Sequence, residues 1–203
     1  MKNKVVDRLT DFIIKNKKCN ETQIKIYRYG LEALYNLLTK TVVILIITSI
    51  LGCLKECLLF ILFYTLLRLF AYGLHASNSI LCWLTTIPIY VGGSLIIKYL
   101  YIPKYIIAII WSIYTLFVLL WAPADTKKRP LIRKERRRKL KIESLIICFI
   151  YYLLIIIVKS PKILNAMSIS MILESICICP LTYYITNNRF NNYIYYKKEH
   201  GLN

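Results

Sequence analysis

The chain has 203 residues, 58% of them hydrophobic, a mean hydropathy of +0.54 and a formal net charge of +18. A soluble domain carries roughly 45–50% apolar residues, whereas here long apolar runs recur from Thr41 to Thr186, which excludes a soluble core. The Lys and Arg residues stand outside those runs, so the charge speaks for anionic lipid and membrane topology rather than for nucleic acid.

In chain order, residues 1–38 read as two amphipathic interfacial helices. Val5, Val6, Leu9, Phe12 and Ile13 form one apolar stripe, with Lys4, Asp7, Arg8, Asp11 and Lys15 off it. The charged start, Met1 to Lys4, lacks the cleavage site of a signal peptide. Asn20, with Gln23 three residues on, caps a second helix whose stripe is Ile24, Tyr27, Leu31, Leu34 and Leu38.

Six transmembrane helices follow, at 39–54, 57–72, 79–100, 104–122, 143–159 and 163–186. Together with residues 1–38 this predicts an all-α polytopic membrane protein. The six-span domain covers 39–186, a basic loop covers 123–142, and 187–203 is a tail. Lys55 and Glu56 interrupt the first apolar stretch, and charge counting decides how to treat them. Six spans with cytosolic termini put 23 Lys and Arg residues inside and five outside. Fusing 39–72 into one span leaves 14 on each side, and the positive-inside rule then favours neither orientation. Pro88 and Gly92-Gly93 predict a kink in the third span.

The seven cysteines do not form a disulfide framework or a metal set. Cys53 and Cys57 share a helix face, Cys177 and Cys179 do not, and neither pair has His or carboxylate partners at ligand spacing. They read as small buried hydrophobes. The presence of only His75 and His200, with no HExxH, speaks against a metalloprotease.

Chemistry concentrates in Arg68-Leu-Phe-Ala-Tyr-Gly73-Leu-His75-Ala76-Ser-Asn-Ser-Ile-Leu-Cys82. A thiol becomes a nucleophile when a base and a positive environment make it a thiolate. Ionisable side chains at a membrane boundary are costly and hence functional suspects. Further along, Ala122-Pro-Ala-Asp125-Thr-Lys-Lys-Arg-Pro130-Leu ends the fourth span and opens the basic loop, which continues through Arg133 to Lys141. That loop is either a lipid-binding stop-transfer patch or an attractor for an acidic peptide.

These two motifs, with the length, the span count and the basic loop, resemble the accessory gene regulator B (AgrB-like) family over essentially the whole chain. One departure is Tyr72, where the family commonly has the first of two glycines. The resemblance implies a bacterial membrane cysteine endopeptidase of quorum sensing, with its active site facing the cytosol. Such an enzyme cuts an AgrD-like pro-peptide and helps close a thiolactone or lactone ring. It further implies Cys82 as nucleophile and His75 as general base, Arg68 and Gly73 as supporting motif positions, no cofactor, and a homodimer. In this reading Lys127, Lys128, Arg129 and Arg133 receive the acidic part of the peptide.

Geometry adds a constraint. Residues seven apart in one helix lie about 10 Å apart along its axis, and side chains lean toward the N-terminus, so His75 would point away from Cys82. A base must come within about 3 Å of its proton or act through one water. The helix must therefore break between them, with Ser77, Asn78 or Ser79 as cap and Cys82 in the first turn, where free N–H groups favour a thiolate and an oxyanion. Asn78 and Asp125 are the candidates to support His75. Glu174 stands within the last span, where an unpaired carboxylate is costly, and Arg68 is its expected partner in a structural bond. Two other classes fit the same spans, a peptide exporter and a non-catalytic membrane protein that binds a partner. Against the exporter stand the missing nucleotide-binding loop and the single intramembrane acid.

Overall fold

A computed structural model describes residues 2–16, 20–74, 79–127 and 129–201. Among them the chain forms nine helices and no extended strand. They are α1 (Lys2–Asn16), α2 (Glu21–Ile50), α3 (Leu54–Ala71), α4 (Ser79–Tyr99), α5 (Lys104–Trp121), α6 (Lys134–Ile157), α7 (Pro161–Ile178), α8 (Pro180–Ile185) and α9 (Asn192–Glu199). The chain divides into two compact units, residues 1–50 and 51–203.

In the first unit α1 packs on α2 with Val6 and Thr10 buried, and the exposed ion pair of Arg28 with Asp7 (2.8 Å) joins the two helices. The expected capping box forms: the Gln23 N–H donates to Asn20 Oδ1 (2.8 Å) and the Asn20 N–H to Gln23 Oε1 (3.1 Å). α2 then runs unbroken to Ile50, so the second interfacial helix and the first expected span are one helix. No proline interrupts this stretch and Gly30 is its only glycine, so nothing stops the helix at residue 38.

In the second unit α7 is the central helix, in contact with α3, α4 and α5. Small residues let its neighbours approach closely: Ala166, Ser168, Ser170 and Ser175 are all buried. The serine hydroxyls donate to carbonyls four residues back, so none is left unsatisfied. α3 presents Phe60, Phe63, Leu67 and Ala71, all buried, one per turn. Tyr151 of α6 packs edge-on against Phe63 and donates its hydroxyl proton to the Phe63 carbonyl (2.8 Å).

α2, α5, α6 and α7 are long and apolar enough to cross a membrane. The other expected spans coincide with α3, which carries Lys55, Glu56 and Arg68, and with α4. Two further boundaries differ from expectation. α6 begins at Lys134, so the second half of the basic loop is helical, as suits a run of good helix formers. The last span divides at Cys179, because Pro180 offers no N–H and holds the preceding residue extended (φ −68°, ψ 129°). α4 is continuous through Pro88, and Gly93 serves a close approach: a Cβ there would stand 2.6 Å from the Phe60 ring.

Candidate active site

α3 stops at Ala71, and the next three residues form a short strap. Tyr72 adopts φ 63°, ψ −128°, and Gly73 φ 111°. Both angles lie where a Cβ is disfavoured, so the turn has glycine geometry at the very position where a tyrosine stands. The strap is fixed from both sides. The Ala124 N–H donates to the Ala71 carbonyl (3.0 Å) and the Gly73 N–H to the Ala124 carbonyl (2.8 Å), while the Leu74 N–H donates to the Cys177 carbonyl on α7 (2.8 Å). A Cβ on Gly73 would meet Arg68 Nη1 and the Cys177 carbonyl oxygen, each at 3.0 Å.

Arg68, in the last turn of α3, reaches over this strap. Its Nη2 donates to the Leu74 carbonyl and to that of Gly73 (3.4 Å), and its Nη1 pairs with Glu174 Oε2 (3.4 Å). The expected Arg68–Glu174 pair is therefore present, and it extends to two backbone carbonyls that the sequence did not point to.

His75, Asn78 and Lys128 lie outside the described residues. α4 opens at Ser79, and Cys82 is its fourth residue, half-buried, with Sγ 3.8 Å from Thr86 Oγ1. The chain leaves the helical path at residues 72–74, after Ala71, and Cys82 lies near the start of the described part of α4.

Asp125 is almost wholly buried, and both its oxygens are taken. Oδ1 accepts the Asn192 N–H (2.7 Å), and Oδ2 accepts those of Leu131 (3.1 Å) and Tyr193 (2.8 Å). Burial pushes its carboxyl above the usual value, against the pull of these three donors and of the Arg137 guanidinium. Tyr183 adds hydroxyl bonds to the Ala124 and Asp125 carbonyls (3.2 and 3.1 Å). Asp125 therefore ties the loop and the α9 tail together beneath the strap. Lys127, Arg129 and Arg133 are exposed. Arg136 donates to the Tyr72 hydroxyl (3.3 Å), and Arg137 stacks on the Tyr193 ring 3.4 Å from its centroid.

A family model described as accessory gene regulator B matches residues 6–178. The chain belongs to the accessory gene regulator B family. It is similar to an AgrB-like protein of Clostridium acetobutylicum, 26% identical over 201 residues, covering 97% of this chain and 96% of the relative. AgrB-like proteins of Listeria innocua (28% identical, 94% and 95% covered) and Lactiplantibacillus plantarum (28% identical, 88% and 89% covered) are also similar. No solved structure matches. Membership places this AgrB-family chain in quorum-sensing peptide processing, with an AgrD-like peptide as its substrate class, and its apolar helices suit a bacterial membrane protein.

The structure thus brings Arg68 and Gly73 into one cluster, joined to Asp125 through the Ala124 backbone. Sequence reasoning did not find Ala124, Cys177, Asn192 or Tyr193. Toward the strap and Asp125, three of these four offer only backbone N–H or C=O groups, which leave no residue-type signature; Asn192 adds a side-chain bond to the Asp125 carbonyl.

Proposed function

We propose that this protein is a membrane cysteine endopeptidase that cuts the C-terminal part of an AgrD-like pro-peptide and passes the remaining acyl group to ring closure. The observation that supports the reading is the braced strap of residues 72–74, which ends the helical path of α3 and leads in sequence into His75 and Cys82. The Cys82 thiolate attacks the scissile carbonyl, and the tetrahedral oxyanion forms where first-turn N–H groups are free. The peptide C–N bond breaks as His75 gives its proton to the leaving amine, which leaves a thioester on Cys82. A thiol or hydroxyl of the substrate then takes the acyl group, closing a thiolactone or lactone and releasing the Cys82 thiol. A thioester and a thiolactone are close in energy, so the transfer proceeds with little loss provided water stays away.

In this reading α3 and α4 also cross the membrane, giving six spans with both termini and the active site on the cytosolic side, and the enzyme works as a homodimer. The exposed Lys127, Arg129 and Arg133, with Lys128, meet the acidic part of the peptide. Lipid headgroups are the second partner of the same basic stretch.

The test is co-expression with an AgrD-like pro-peptide, followed by mass spectrometry of the wild type and of Cys82→Ala. The expected result is a covalent peptide adduct on Cys82 and a shortened peptide, both absent from the variant. Processing that persists in Cys82→Ala would overturn the mechanism, and an intact peptide moved across the membrane by both proteins would point to an exporter.

A further inference from the structure

Glu174 is wholly buried, and only one of its two oxygens is used. Oε2 pairs with Arg68 Nη1 at 3.4 Å, while Oε1 has no hydrogen-bond partner among the described residues. A buried carboxylate with a free oxygen contributes little to stability by itself, since desolvation offsets most of the attraction. Its position is more telling. Glu174 and Cys177 lie three residues apart on α7, on neighbouring positions of one face. Cys177 holds the Leu74 N–H through its carbonyl (2.8 Å), and Glu174 holds the guanidinium that donates to the Leu74 and Gly73 carbonyls. One turn of α7 therefore grips both polar sides of the residue that immediately precedes His75.

We propose that Glu174 is a positioning residue of the reaction described above: by orienting Arg68 it fixes the Gly73 and Leu74 carbonyls and so sets where the chain delivers His75. Without the carboxylate the guanidinium is free to turn away, and the strap keeps only its backbone bonds to Ala124 and Cys177. A base displaced by about 1 Å costs on the order of 10²-fold in rate. The inference rests on the cysteine-endopeptidase reading, and its test separates the two.

The experiment compares the wild type, Glu174→Gln and the double variant Arg68→Leu/Glu174→Leu as purified full-length proteins in detergent. Three readouts are taken: thermal unfolding, kcat and KM for an AgrD-like pro-peptide, and the site-resolved rate of Cys82 alkylation by iodoacetamide. Glu174→Gln is expected to lose about 100-fold in kcat, with KM little changed, and to alkylate about tenfold more slowly at Cys82 as the thiolate loses its base. The double variant removes both charges, so its unfolding temperature is expected to match or exceed that of Glu174→Gln while kcat stays low. If Glu174→Gln does not fold, the double variant carries the decision. A kcat within about threefold of wild type in Glu174→Gln, or recovery of both fold and kcat in the double variant, would overturn the positioning role. Either result would leave the endopeptidase reading intact so long as wild-type cleavage depends on Cys82. Cleavage by Cys82→Ala sinks that reading and this one together.

Discussion

Asp125 and Glu174 are both buried carboxylates within two bonds of the same strap, yet their surroundings are opposite. Around Asp125 three backbone N–H groups, from the loop and from the tail, fill both oxygens. Around Glu174 the described residues offer one long ion pair and no partner for the other oxygen. A saturated carboxylate held by main-chain donors is a fastener, whose loss is felt in stability. An under-used carboxylate leaning on a single arginine adds little to stability, and its value lies in what the arginine is made to hold.

Substitutions at three positions sharpen or break that contrast. The largest loss of stability is expected from Asp125→Ala, which strands the N–H groups of Leu131, Asn192 and Tyr193 and costs about 3 kcal/mol. Chemical unfolding in detergent measures it, and a change below about 1 kcal/mol would mean that water replaces the carboxylate. Next comes Gly73→Ala, on the strap shared by both regions. Its φ of 111° and the two 3.0 Å approaches to Arg68 and Cys177 should cost about 2 kcal/mol and slow peptide cleavage. Wild-type cleavage and stability in this variant would show that the strap does not need its tight geometry. The smallest effect is at Tyr72, where Gly and Ala variants lose the same side chain and the same bond to Arg136. Only Ala retains the strained φ of 63°, so Tyr72→Gly should be the more stable of the two by about 1 kcal/mol. Equal stability would mean that the backbone relaxes once the ring is gone.

The helices were legible in the sequence because membrane spans announce themselves by composition. The Asn20–Gln23 box was legible because side chains form it, and so was the Arg68–Glu174 pair, because an intramembrane charge demands a partner. The Tyr72 departure from a glycine pattern could be read as a letter, but its meaning required the dihedral angles. Asp125 was singled out from the sequence, but the main-chain donors that its oxygens accept from, 67 and 68 residues away, were not. Contacts of that kind depend on tertiary placement and leave no mark on local pattern. The split at Pro180 was legible in principle, since a proline inside a helical run is a break signal.

The Arg68–Glu174 pair also bears on how the protein is made. The two residues lie 106 positions apart, so in the proposed six-span reading α3 is laid into the membrane long before its counter-charge exists. A lone arginine inside a bilayer costs about 2.5–3.5 kcal/mol on insertion scales. Arg68 stands in the last turn of its helix, where its side chain can reach the interface and the carbonyls that follow it. α7 enters last among the long helices, carrying a carboxylate that needs this cation. In that reading the charge pair acts as an assembly check, because α7 carries a carboxylate suited to the membrane only beside an inserted α3.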